Sequence, residues 1–437
     1  MSTRSNGASA FDRLRRVDPR LWAALLCAAG LTLGWVLMLR VGGLADETVH
    51  FPQIRSFLEA FPDGPWTLDP RLTTFPTYHA LVAAVLALTG TSSLTAARTV
   101  DLAISAALLA VFAAAVLRIH GRRTIAARRM AQLAFLPILF PFFFLVYTDV
   151  LSLLLVLLGV LLADRPRPVL APLAAWAAVL VRQTNVVWAV WIALVHLRAV
   201  DRNVSAPPDA ADRRWRLLGP AAPYALLAAA TVGFVLWHGG LALGDPAAHP
   251  PGALHAANVD FFLLVLLVCF LPLHLPALKR VAGSLSAALR RRPWRERLVL
   301  SLLALAALAA GFLLFTWSFE VSHPYNRFLG SLRNRALDFF THGELGTLTL
   351  FTADVVALLA LVGTRLTRPL AYALYPLSAA FLAAHWLVEQ RYDFIPLALW
   401  LLYREEAPPW AERLQLVWGI ALTAFLHLGV VNRWFFL

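Results

Sequence analysis

The sequence predicts an all-α polytopic membrane protein, and three observations carry that reading. Of 437 residues, 60% are hydrophobic and only 14% are charged, against roughly 25% charged in a soluble domain. Mean hydropathy is +0.69, and apolar runs recur along the whole chain, many long enough to cross a bilayer. Arginines gather in short segments between those runs, as topology signals do. No polar stretch is long enough to bury a core of its own, so residues 1–437 read as one integral-membrane domain.

The first apolar run, 21–41, follows a basic tail over 1–20 that the arginines place in the cytoplasm. It is too long for a signal-peptide core and has no small-residue cleavage site, so it reads as an anchor. Further basic clusters lie at 118–129, at Arg165 and Arg167, at 198–216, at 279–297, at Arg365 and Arg368, and at Arg404 and Arg413. Putting all of them on the cytoplasmic side leaves spans at 94–117, 130–146, 148–163, 169–182, 184–198, 217–238 and 259–276. Others follow at 298–318, 346–363, 369–387, 394–403 and 414–431. Residues 76–90 are apolar but short for a crossing, and counting them as one would turn the 118–129 cluster outward. They read instead as a helix dipping into the outer leaflet. The total comes to about 11–13 membrane helices.

The net charge of +13 does not indicate nucleic acid, because the arginines follow topology and anionic lipid instead. Cys27 and Cys269 sit in apolar runs with no disulfide or metal spacing. A single Lys against 37 Arg is the composition of a GC-rich bacterial genome. It points to a bacterial inner membrane, with the extracytoplasmic loops in the periplasm.

Under this topology the polar clusters collect on the extracytoplasmic side, where charge beside lipid is functional by default. Asp46-Glu47 opens an amphipathic stretch over 46–60, with His50 one turn on. Acids suit a helix start, but a helix start does not call for the histidine. A carboxylate there can act as a general base, and a second carboxylate beside it would raise one pKa toward neutral. Asp69 and Arg71 lie in a turn after Asp-Gly-Pro, where a solvated loop and a sugar- or phosphate-binding loop read alike. Tyr147-Thr148-Asp149 opens a helix, as a cap or as a site. Arg182-Gln183-Thr184-Asn185 breaks an apolar stretch of about thirty residues, and at a hairpin apex Arg182 would meet a lipid-linked phosphate. Asp245 and His249, His323 and Tyr325, and Glu389, Arg391 and Tyr392 complete the series. None has a zinc spacing.

Taken in order, these pieces resemble the dolichyl-phosphate-glucose-dependent alpha-1,2-glucosyltransferases, a family of the GT-C class of multi-span glycosyltransferases. The pieces are Asp46-Glu47-x-x-His50-x-Pro52-Gln53, Trp66-x-x-Asp69-Pro70-x-x-Thr73-Thr74, Tyr147-Thr148-Asp149 and Arg182-Gln183-Thr184-Asn185. They continue with Gly244-Asp245-x-x-x-His249, His323-Pro324-Tyr325 and Glu389-x-Arg391-Tyr392. The chain departs from the family after Tyr325, where it keeps only an Asn-Arg pair. The resemblance implies a GT-C-like bundle whose first extracytoplasmic loop, 42–75, is catalytic. It implies an inverting transfer of a hexose, glucose by preference, from a polyprenyl-phosphate donor to a lipid-linked or surface-glycan acceptor, with no metal and no cofactor. Asp46 is the expected base, with Glu47 the alternative. The other residues named above would bind donor or acceptor. A flippase or transporter of the same lipid is the competing reading. It is disfavoured by the absence of an internal repeat and by charge on one face instead of the midplane. A surface-polysaccharide polymerase or ligase is the third, and nothing requires it to carry the collinear pieces.

Overall fold

The computed structural model describes residues 19–60, 64–164, 169–202, 210–244, 254–328 and 331–435. The basic tail before Pro19 and the Arg165 and Arg167 cluster lie outside them.

Helix α1 (Pro19–Met38) is the first span, and α2 (Glu47–Ala60) is the expected amphipathic helix after it. Helix α3 (Thr77–Thr89) packs back along α2. Helix α4 (Leu94–His120) then begins where α2 begins, since Arg98 on its first turns pairs with Glu47. The start of α3 is fixed to the same place, through His79 to His50 and Tyr78 to Asp101. The segment therefore returns to the side it left, as its short length predicts. Ser93 caps α4 by accepting the Ala96 N–H, and Gly121 ends it at φ 68°, a left-handed conformation glycine adopts freely.

Helices α5 (Arg123–Ala134), α6 (Thr148–Ala163), α7 (Leu170–Val181) and α8 (Val186–Arg202) build the core with α4. The span expected at 130–146 is not a crossing helix. Helix α5 stops at Ala134, and Pro137 and Pro141 follow, with a 3-10 turn at Phe140–Phe144. Hydropathy is blind to this difference, because the segment is buried in protein, where irregular backbone at membrane depth is tolerated.

Helix α9 (Ala210–His238) follows, then α10 (Ala257–Cys269) and α11 (Leu271–Arg290), which bend by 100° at Phe270. Helix α12 (Trp294–Ser318) is exposed along most of its apolar length, as a lipid-facing span would be. The expected loop at 319–345 holds a two-stranded hairpin, β1 (Arg327–Phe328) with β2 (Ser331–Leu332), and the short helix α13 (Arg335–Thr341). Helices α14 (Gly343–Gly363), α15 (Leu374–Ala383), α16 (Phe394–Tyr403) and α17 (Pro409–Val431) complete the bundle. Every residue of α16 is buried, so this ten-residue segment is a core helix.

The protein is thus an all-α polytopic membrane protein. By length and composition, six helices among the described residues suffice to cross a membrane, or seven with the bent pair as one span. Shorter apolar helices such as α6, α7 and α15 stand where further crossings were expected.

Candidate active site at one end of the bundle

Four chain segments far apart in sequence bring their polar residues to one place. The turn before α2 supplies Asp46, with Ala45 at φ 42°. The residues before α6 supply Tyr147, and its first turn supplies Asp149. The break between α7 and α8 supplies Arg182. A 3-10 turn over Gln390–Asp393, entered from Glu389 and leading into α16, supplies Arg391 and Tyr392.

Arg391 is the hub. Its Nη1 donates to Asp46 Oδ2 at 2.6 Å, its Nε pairs with Glu389, and its guanidinium lies 5.8 Å from the Tyr147 ring and 5.9 Å from the Tyr392 ring. Tyr147 Oη accepts the Asp46 backbone N–H at 2.9 Å, which fixes the turn. Arg182 pairs with Asp149, and its guanidinium lies 5.7 Å from the same Tyr392 ring. Asp149 therefore serves a salt bridge, and no side chain caps α6. His50 packs edge-on to Tyr147 and bonds His79, Nδ1 to Nε2, at 2.8 Å.

Asp46 and Glu47 are adjacent in sequence but have unlike surroundings. The Asp46 side chain is 41% exposed and holds one ion pair. Glu47 is enclosed. Arg98 grips both its oxygens, at 2.9 and 2.6 Å, and the N–H groups of Val146 and Leu44 donate to them at 3.0 Å. Arg98 spends its remaining donors on the carbonyls of Met38, Val41 and Gly42. The expectation that the neighbouring carboxylate raises a pKa toward neutral is therefore corrected, since Glu47 turns away into its own ion pair. Burial pushes the Asp46 carboxyl up, but the Arg391 charge and hydrogen bond outweigh it and hold it below its ordinary value. Glu389 moves the other way. Burial raises it, Arg391 opposes, and the charges of Asp46 and Asp149 add to the rise. Burial lowers His50 to about 4 although Asp46 favours its charged form, so His50 is neutral at physiological pH.

The other expected residues are placed around this cluster. Gln53 holds the 66–70 loop on α2, donating to the Thr67 carbonyl and accepting the Asp69 N–H. Asp69 and Arg71 pair with each other at the surface, where the Arg71 side chain is 62% exposed. The Gln183 amide reaches the Thr73 carbonyl of that loop at 3.4 Å. Asn185 is buried and bonds Ser152 and the Ala178 carbonyl, a bracing role for the helix break. Gly244 packs so closely on Pro70 that an added Cβ would stand 2.2 Å from its carbonyl oxygen. Asp245 and His249 lie outside the described residues. His323 is buried against Trp386 and accepts the Tyr325 N–H, while Tyr325 is half exposed.

Three residues that matter here were missed in the sequence. Arg98 had a signal, a charge inside an apolar run that needs a partner. Asn258 donates to the carbonyls of His385 and Leu387, and Asn326 trades two hydrogen bonds with Val388. Together they hold the loop that presents Glu389 and Arg391; Asn326 belongs to the Asn-Arg pair kept from the family pattern, whereas the type and position of Asn258 gave no warning. Among the described residues no group of three or more His, Cys, Asp or Glu is placed to hold a metal ion.

Comparison with known proteins sets this geometry in a family. The DIE2/ALG10 family profile matches residues 43–213 and 197–402, most of the chain and every segment of the cluster. A Drosophila melanogaster protein named as a Dol-P-Glc:Glc(2)Man(9)GlcNAc(2)-PP-Dol alpha-1,2-glucosyltransferase is 29% identical over 56% of this chain and 60% of its own length. Proteins of the same name from Arabidopsis thaliana and Homo sapiens are 27% and 24% identical, over 69% and 64% of this chain and 74% and 66% of theirs. The chain thus spans about three fifths to three quarters of these relatives. They are eukaryotic and lend no support to the bacterial origin that the composition indicates. No solved structure is significantly similar. The profile covers the loops that build the site as well as the helices that carry them, and the chain belongs to the DIE2/ALG10 family.

Proposed function

We propose that this protein transfers glucose, with inversion, from a polyprenyl-phosphate glucose donor to a hydroxyl of a lipid-linked glycan, at the outer end of the bundle. The observation that carries the reading is the convergence of Asp46 with Arg391 and Arg182 from four separate segments. Its chemistry matches the name that the relatives bear.

The acceptor hydroxyl oxygen attacks the anomeric carbon from the face opposite the phosphate. Its proton passes to the Asp46 carboxylate as the bond to the phosphate breaks, and the polyprenyl phosphate leaves with the electron pair. Asp46 is ionised at neutral pH because Arg391 holds it so, and its exposure leaves Oδ1 open to the hydroxyl. The leaving phosphate needs positive charge more than a proton. Arg391 and Arg182, each 13% exposed and packed beside Tyr392, carry planar forks that match phosphate oxygens. Asp149, Glu389 and His50 orient sugar hydroxyls and the two arginines. In this reading the segment 42–75 is the catalytic loop and faces the extracytoplasmic side, a topology supported by the basic clusters at the other end of the bundle.

The test is transfer of labelled sugar by the purified chain from polyprenyl-phosphate glucose, with mannose and galactose donors in parallel, into a lipid extract of its host. Transfer from the glucose donor, with the product of opposite anomeric configuration, is expected. Failure with all three donors, together with movement of the same lipid across liposome bilayers, would replace the reading with a flippase.

A further inference from the structure

At the opposite end of the bundle a second polar cavity opens, and the transfer chemistry leaves it unexplained. Helix α6 carries Asp149 into the outer cluster and runs to Asp164, about 20 Å away at its 1.5 Å rise per residue. Asp164 lines a cavity of about 230 Å³ between α4, α8 and the start of the 3-10 turn at Pro369–Ala373. Arg118, Arg198, Arg202 and Arg368 line it too. Four guanidiniums against one carboxylate leave a formal charge of +3 on the wall (4 − 1).

Arginines at this end also serve topology, and Asp164 answers two of them, pairing with Arg118 at 3.0 Å and with Arg368. Topology does not account for the rest of the wall. Arg198 has Asp201 only at 3.5 Å. Tyr403 and Trp191 line the same cavity and are 1% and 0% exposed. Their rings meet edge to face at 5.4 Å, yet Tyr403 Oη and Trp191 Nε1 have no hydrogen-bond partner. A buried donor without an acceptor is costly, and these two belong to residues that line a space already rich in guanidinium donors. The wall offers hydroxyl, indole and guanidinium N–H and O–H groups, with one carboxylate already engaged. It calls for an anion with several acceptor oxygens.

We propose that this cavity binds a phosphate monoester, with Arg198 and Arg202 gripping its oxygens and Tyr403 donating to it. A cavity of about 230 Å³ has room for a phosphate group and part of what it esterifies. Basic pockets between membrane helices take up phospholipid head groups, so a phosphorylated lipid and free phosphate are the two sources.

The experiment is retention of phosphatidic acid by the full chain in detergent, read by native mass spectrometry, with phosphatidylcholine as the control lipid. Wild type is expected to retain phosphatidic acid about tenfold over phosphatidylcholine, and R198Q/R202Q to lose that preference. Tyr403→Phe, which keeps the packing, is expected to weaken it by about threefold. Displacement by millimolar inorganic phosphate would show that the phosphate group suffices, and its failure that the lipid is needed. Both arginines lie at the cavity mouth, and an unchanged melting temperature for R198Q/R202Q establishes that the variant is folded. Equal retention by wild type and folded R198Q/R202Q, or equal retention of the two lipids, overturns the proposal.

Discussion

Two constellations of charge stand at opposite ends of α16, and they are built to opposite plans. At its end, Arg404 grips both oxygens of Glu412 at 2.7 and 2.8 Å, Gln132 bonds both partners, and the Ala407 N–H donates to the same carboxylate. Arg129 lies beside them and donates to the Leu402 and Arg404 carbonyls. Arg404, Glu412 and Arg129 are at most 1% exposed. At the start of α16, Arg391 shares itself between Asp46 and Glu389, and Asp46 keeps an exposed oxygen. The closed set has turned its carboxylate and most of its guanidinium donors on the protein, with Arg404 Nε and Arg129 Nε left unpartnered in the interior. The open set has kept some hydrogen-bonding capacity for a ligand. The Glu47–Arg98 pair shows that position does not decide this, because it lies beside the open set and is closed.

The comparison makes predictions, and the largest concerns Asp46. Asp46→Asn keeps the shape but removes the base, and transfer should fall by roughly 10²- to 10⁴-fold with an unchanged melting temperature. Initial rates beside thermal unfolding check it. Glu412→Gln should do the reverse. It strands Arg404 in the interior at a cost of about 3–5 kcal/mol, read in denaturation, while the rate per folded molecule holds.

A third effect is pH dependence. The folded pKa of His50 lies below its unfolded value of 6.5, at about 4. The unfolded chain therefore takes up the proton first, and stability present above pH 6.5 is lost as pH falls toward 4, by up to roughly 3 kcal/mol. His50→Gln should flatten that limb of a stability–pH curve, and an unaltered limb would remove His50 as its source. The smallest effect is Arg182→Lys, which keeps the charge but loses the planar fork. A rise of about tenfold in KM for the donor lipid, about 1.4 kcal/mol, with little change in kcat would sharpen the assignment of Arg182 to phosphate.

The sequence disclosed much of the open set because charge in an apolar chain is conspicuous and expensive. Asp46, Asp149, Arg182, Glu389 and Arg391 each stood out at a span end, and α6 begins and ends where its apolar run predicts, at 148–163. The division of labour between Asp46 and Glu47 was hidden. It depends on Arg98, about fifty residues along the chain, and on the Val146 N–H, about a hundred along. The failure at 130–146 has the same origin. A run of phenylalanine has one hydropathy whether it crosses a bilayer or folds into the interior as a 3-10 turn, and only its neighbours decide.

The central claim is that Asp46 acts on substrate while Glu47 holds the structure. It is tested most directly by transfer from polyprenyl-phosphate glucose per folded molecule, for wild type, Asp46→Asn and Glu47→Gln together. The account predicts that Asp46→Asn is folded and inactive, and that Glu47→Gln is destabilised by about 3–5 kcal/mol but turns over at near wild-type rate in its folded fraction. An active Asp46→Asn, or a stable Glu47→Gln without activity, would contradict it.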